Sequence, residues 1–315
     1  DNFLDVAGLV GYTTKRVGGT SANHIVNRGN VTLGKEGETL TFNKTIYVSG
    51  GSAHPMTWVV DIDNHGTISV AKGVTVGSYS YIGGCAGRAN FTDANVTRCN
   101  NYGAVESAGT HNGRVIIGGL AGEVRNSASS KETTGLNITD CTNSGNVTIK
   151  EGFAANHTES TTVGGIAGVW ASANAGLKRS TSSGVITIEN GATFAPETRI
   201  AGICATPDSG NVEEVTNSGN LVLGGLHTGR LCAGGILGYC TAQIPSNQVG
   251  ATNDATITFV EGGKCKELEL GGICGITKKA LRNSVNNGAV IVAGEVTGTI
   301  ARVAGGIAWI NDGGM

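Results

Sequence analysis

The chain has 315 residues, 22 basic against 24 acidic side chains for a net charge of −2, 52 glycines, four prolines and 5% aromatics. Its charges are dispersed, so no basic stripe points to nucleic acid, and no apolar run approaches the roughly 18 residues of a membrane span. The glycines fall at fixed places in a long unit, which excludes a collagen-like or Pro-rich disordered chain.

Taken in chain order, the sequence repeats one pattern: Asn-x-Gly followed two positions on by an apolar residue. It occurs at Asn27 to Gly29, Asn64 to Gly66, Asn101 to Gly103, Asn143 to Gly145, Asn217 to Gly219 and Asn286 to Gly288, with degenerate copies at Ser182 to Gly184 and Asn253 to Ala255. The third residues are spaced by 33 to 42 positions. A near-constant period in that range marks a repeat array, which takes precedence over any reading of length as two globular domains. We expect residues 1–315 to form a single array and to be a fragment of a larger protein, since glycine-rich repeat units reach both ends.

Two residues after each Gly stand Val31, Ile68, Val105, Val147, Ile186, Leu221, Ile257 and Val290. The apolar positions alternate with mostly polar ones, as in Asn146-Val147-Thr148-Ile149, and β-branched residues dominate. Period two with this composition means a half-buried strand. Each unit also holds an apolar Gly-Gly strand such as Ile82-Gly83-Gly84-Cys85-Ala86-Gly87. No window has a helical period. The sequence therefore predicts an all-β fold, a right-handed parallel β-helix (β-solenoid) of about eight rungs, each hydrogen-bonded to the next about 4.8 Å away.

In that geometry Asn27, Asn64, Asn101, Asn143, Asn217 and Asn286 point inward at a turn. There the amide can bond the backbone and the Asn of the next rung, giving a structural ladder. The longest stretches between patterned segments, Gly34 to Thr45, Arg125 to Gly135 and Glu151 to Thr162, read as loops. Cys99 and Cys141 share a repeat position with Ile25, Ile62 and Val215, and Cys204 and Cys274 share one with Ala86, Ala121 and Leu237. Cysteines that alternate with aliphatic residues act as small buried hydrophobes, so most of the eight are expected as free thiols. The Gly strand is apolar on both faces. Either Gly-Gly bends the chain so that both faces turn inward, or the face of Ala86, Ala121 and Ala167 forms an outer strip for lateral contacts.

Candidate chemistry is sparse. Asp61, Asp63 and His65 are spaced by two and would project together from the outer face of one strand, a weak candidate for a hard cation or for acid/base work. The corresponding positions of the next units, Arg98, Asn100 and Tyr102, then Asp140, Thr142 and Ser144, do not repeat an acidic cleft. Tyr79 and Tyr81, with Trp58, Trp170 and Trp309 in other contexts, are the aromatic candidates for a carbohydrate platform. No catalytic set, metal site or cofactor is assigned.

At Gly8-Leu9-Val10-Gly11, Gly119-Leu120-Ala121-Gly122, Gly165-Ile166-Ala167-Gly168, Gly235-Ile236-Leu237-Gly238 and Gly272-Ile273-Cys274-Gly275, the unit resembles the GLUG motif of bacterial cell-surface repeat proteins, among them adhesins and regions of immunoglobulin A peptidases. Gly202-Ile203-Cys204-Ala205 and Gly306-Ile307-Ala308-Trp309 depart from it at the last Gly. The resemblance implies an extracellular bacterial surface or secreted protein acting as adhesin, stalk or scaffold, without catalysis. Its partners would be host or neighbouring-cell surface proteins, glycans, or other parts of the parent protein. The alternative is a β-helix polysaccharide lyase or hydrolase.

Overall fold

A computed structural model describes residues 3–90, 95–125, 137–171, 176–194, 196–208, 210–241 and 250–310. Among them every regular element is a strand, and the strands stack in parallel as a β-solenoid of about seven turns. Among the described residues no helix is long and apolar enough to cross a membrane. Two of its sheets have eight strands, one from each Asn-x-Gly copy and one from the apolar strand that follows.

The apolar column holds its register along the whole stack. Val31 pairs with Ile68, Ile68 with Val105, Val105 with Val147, Val147 with Ile186, Ile186 with Leu221, Leu221 with Ile257 and Ile257 with Val290. All are buried except Val290, on the last rung, which is half-buried. One-residue slips would turn each column to water, so alternating burial fixes the register. Two stretches read as loops add strands of their own: Leu40–Phe42 lies in the first, and Ala154–Ala155 and Ser160–Gly164 lie in or overlap the third. Each is too short to show a period by itself. The second stretch, beyond Arg125, lies outside the described residues.

The core is divided in two. One cluster packs Ile62, Val96, Cys99, Leu120 and Trp170 behind the Asn strands, and the other packs the Val31-to-Ile257 column against Ile82, Ile117, Phe153 and Phe194. Between them the walls meet. Gly84 stands against Asn101, where a Cβ would collide with the Asn amide and with the carbonyl of Gly119. Only glycine lets the two backbones approach this closely.

The same pinch explains the apolar faces of the Gly strand. Its regular pairing breaks at Gly84 and Cys85, and both Cys85 and Ala86 lie inside the first core cluster. Ala86, Ala121 and Ala167 are fully buried, so they form an inner column and not an outer strip. Behind the bend the chain doubles back closely enough that a Cβ on Gly122 would strike the backbone of Ile82 and Gly87. A Cβ would meet comparably close atoms at Gly87, Gly168, Gly238 and Gly275, whereas Ala53 and Ala205 hold that position with a buried Cβ. In the final unit Ile307 pairs with Cys274, so Gly305, not Gly306, matches the first Gly and the departure there is one residue out of register. Gly50-Gly51-Ser52-Ala53 is a further copy, with Ser52 paired to Ala86.

Candidate functional site

The corner before each Asn strand gathers most of the charges flagged by the sequence. Asp61, Arg98, Asp140, Arg179, Glu214 and Asn283 all hold φ between 46° and 57°, a left-handed turn repeated at one position of the unit. Non-glycine residues occupy that region rarely, and here their side chains answer one another from rung to rung. Arg98 donates from Nε and Nη2 to the two carboxylate oxygens of Asp61 at 2.6 and 3.0 Å, and Arg179 repeats the fork on Asp140. The Arg98 hydrogen bonds hold the Asp61 carboxyl below the usual range, although its burial works against them.

The three residues spaced by two therefore part company. Asp61 is buried at the corner under Arg98. Asp63 is half-buried and bonded to the His24 ring at 2.8 Å and to Asn100 Nδ2 at 2.8 Å. His65 is exposed, with its ring stacked on Tyr102 at 4.6 Å. Both Asp61 oxygens face a guanidinium; the His24 ring stands between the two acids, 3.7 Å from Asp61 and 2.8 Å from Asp63, while His65 turns to Tyr102. Among the described residues no group of three acids, histidines or cysteines is placed to hold a metal.

Inside the waist, amides join the rungs. Asn27 Nδ2 donates to Asn64 Oδ1, Asn64 to Asn101 and Asn101 to Asn143 at 2.7 to 2.8 Å, and each also donates to the carbonyl two residues on. The series resumes from Asn217 to Asn253 and from Asn253 to Asn286. Between them Ser182 takes the place of Asn, and its buried hydroxyl has no hydrogen-bond partner. These amides serve the stack and leave nothing free for a ligand.

The outer side of the Gly bend is the richest surface. Because the chain folds back there, the outer faces of the strands before and after Gly-Gly meet along a concave seam. Tyr47, Tyr81 and Ile116 on one side pack against Ala53 and Val169 on the other. Aromatic rings run up the seam, Tyr47 stacking on His54 at 4.1 Å and on Tyr81 at 5.1 Å. Arg88 lies over Tyr81 and closes on Glu123 at 2.5 Å, and Arg125 takes the other Glu123 oxygen at 2.8 Å. Farther along, Arg199 covers Tyr239 and Arg302 covers Trp309, with Arg302 also on Glu269 at 2.5 Å. Glu123 and Glu269 are buried carboxylates: Arg88 and Arg125 each bond one oxygen of Glu123, whereas Glu269 takes one bond from Arg302 and its second oxygen has Arg230 only at 3.9 Å.

Burial pushes the Tyr81 phenol up to about 12 and raises that of Tyr47, so both remain protonated near neutral pH. At the first rungs burial also lifts Asp5 to about 6 and lowers His54 to about 4. Their facing atoms stand 4.0 Å apart without a hydrogen bond.

Beside the seam lies a trough. One cavity of about 330 Å³ is lined by Arg88, Arg114, Arg125, Glu123 and Glu159 with the tyrosines. A second, of about 450 Å³, shares Tyr79 and Glu159 with it and is otherwise uncharged, lined by Ser78, Asn112 and Asn156 among others. Sequence reasoning flagged Tyr79 and Tyr81 as aromatics but missed the arginines and glutamates. The available signal was the residue following the last Gly of each unit, Arg88, Glu123 or Tyr239, which faces outward into the seam. Of the tryptophans, Trp170 is buried core, Trp58 is exposed and Trp309 sits under Arg302.

None of the eight cysteines is in a disulfide, and all are buried. Burial raises the thiols of Cys85, Cys99, Cys204, Cys232, Cys265 and Cys274, that of Cys265 to about 12. No protein-family model, curated protein or solved structure matches the chain.

Proposed function

We propose that the chain is a repeat segment of an extracellular bacterial surface or secreted protein that works as an adhesin, stalk or scaffold and performs no catalysis. The observation that carries this reading is the use of the polar interior. The Asn ladder and the in-register columns couple each rung to the next, so the stack behaves as a stiff rod, while loops and the outer seam remain for contact. A solenoid of this kind offers a long surface at low cost in conformational entropy, which suits display of binding sites. The glycine motif shared with GLUG repeats points the same way. Its partner would be a surface protein or glycan of a host or neighbouring cell.

The test couples the full chain to beads and measures retention on bacterial and epithelial cells against beads carrying an unrelated solenoid. The same preparation is incubated with a panel of polysaccharides. Retention without new reducing ends is the expected result. Depolymerisation would replace this reading with that of a β-helix lyase or hydrolase.

A further inference from the structure

We propose that the trough beside the Gly bend binds an acidic sugar, with its carboxylate at Arg114 and its ring over Tyr79. The assignment rests on the reading of the chain as a binding surface and names the ligand class that surface takes.

The argument begins with charge. Three arginines and two glutamates line the cationic end, leaving one positive charge in excess. Glu123 is committed to Arg88 and Arg125, each through Nε. Glu159, half-exposed, accepts from the Tyr79 hydroxyl at 3.3 Å, and its other oxygen stays 3.8 Å from Arg114 Nε, beyond hydrogen-bonding reach. The Nε–H of Arg114 is buried and has no acceptor. A guanidinium nitrogen taken out of water without an acceptor is costly to leave so. One carboxylate at the guanidinium would cancel the excess charge, and a guanidinium favours such an oxyanion through its planar fork.

The second end of the trough specifies what carries the carboxylate. Tyr79 occupies the outer column one rung before Arg114, because Ser80 pairs with Val115. Its side chain is 41% exposed, unlike those of Tyr47 and Tyr81, which are closed by stacking. It is thus the aromatic face at this site open to a ligand. Around it the second cavity presents amides and hydroxyls, Asn112, Asn156 and Ser78, and the half-buried His157, whose proton burial disfavours, without a charge other than Glu159. An exposed ring flanked by amides and hydroxyls suits a hydroxyl-rich ring, with an amphipathic aromatic supplying the contact and the polar groups its orientation. A bare anion would use only the first cavity, and a neutral sugar only the second.

The test uses the full chain and a tetrasaccharide of glucuronate, with its methyl ester and acetate as the two partial ligands, followed by calorimetry. Binding of the acid at least about tenfold tighter than of the ester or of acetate is expected, the value of one charge-assisted hydrogen bond. Arg114→Gln and Tyr79→Ala should each weaken it by about tenfold while circular dichroism stays unchanged, and Arg179→Gln, at the corner on another face, should leave it alone. Equal binding of acid and ester would overturn the proposal, as would acetate binding as tightly as the sugar or indifference to both substitutions. New reducing ends in the tetrasaccharide would uphold the ligand and overturn the non-catalytic reading, so the two fail separately.

Discussion

Arg98 places both of its forked hydrogen bonds on Asp61 of the preceding rung, at a corner where the two backbones share a left-handed turn. The Asp61 side chain is wholly out of solvent and Arg98 is 41% exposed. Arg98→Ala would leave a buried carboxylate without its donor and should cost about 1–2 kcal/mol, discounted for the exposed partner. Arg179→Ala removes the same fork from Asp140, which is itself 39% exposed, and should cost under about 0.5 kcal/mol. Urea midpoints of the two variants check the ranking. Equal losses would mean that burial of the acid does not decide the value of the pair.

Ser182 interrupts the amide ladder between Asn143 and Asn217. Its neighbour across the waist is Gly165, just as Gly84 faces Asn101, so the glycine that makes room for an Asn is already present. Ser182→Asn should accept from Asn143, donate to Asn217 and to the carbonyl of Gly184, and stabilise by about 0.5–1.5 kcal/mol. Asn101→Leu, at an intact step, should destabilise by roughly 1–3 kcal/mol because Asn64 and Asn143 both lose a partner. Thermal unfolding of both variants measures the difference in sign.

The fold could be read because its information is periodic. Val31 to Val290 recur at one offset, and a column that repeats on every rung declares itself without knowledge of its neighbours. The seam could not be read in the same way. Arg88, Glu123, Val169, Thr206 and Tyr239 occupy one column yet share no chemistry, and their pairing with the opposite wall depends on how sharply Gly-Gly bends the chain. Asp61 was misplaced for a related reason. Spacing by two assumes an extended backbone, and the left-handed corner at Asp61 breaks the alternation that would have aligned it with Asp63 and His65.

The bend itself is open to test at Ala121. This residue is fully buried between Ala86 and Ala167 in the first core cluster. Ala121→Glu would place an unpaired carboxylate there and should abolish cooperative folding or cost more than about 4 kcal/mol. Near-ultraviolet dichroism around Trp170, which lies in the same cluster, reports the loss. A folded variant with a native spectrum would show that the column faces solvent.

The buried thiols should be silent in the native state. Reactivity belongs to the thiolate, burial raises Cys85, Cys99, Cys204, Cys232, Cys265 and Cys274, and all eight side chains are closed to solvent. A colorimetric thiol reagent at pH 8 is expected to titrate almost none of the eight in native protein and all of them in guanidinium. Rapid labelling of folded protein would contradict the burial of this column.

Acid should weaken the fold well above the range where ordinary carboxylates titrate. His111 is enclosed between the hydroxyls of Ser80 and Ser107, and burial lowers it to about 3. His227 stacks on Phe194, donates from Nε2 to the Gly224 carbonyl and accepts from Thr198, and burial lowers it to about 4, as it does His54. An unfolded histidine titrates near 6.5, so below that pH the unfolded chain binds protons that the folded chain refuses. Stability is complete above about pH 6.5 and falls as pH drops towards 4, on the order of 1 kcal/mol per pH unit for each histidine. Asp5, raised to about 6, acts in the opposite sense between about pH 4 and 6, and Glu269 is raised as well. Four histidines, His157 being lowered by burial as well, against these two carboxylates leave a net loss, and below pH 4 Asp61 and Asp140, held low by their arginines, add to it. The unfolding midpoint measured from pH 7.5 to 4.5 should therefore decline from about pH 6.5 downwards, and His227→Gln should flatten the slope. A midpoint constant across that interval would mean that these rings accept protons without leaving their sites.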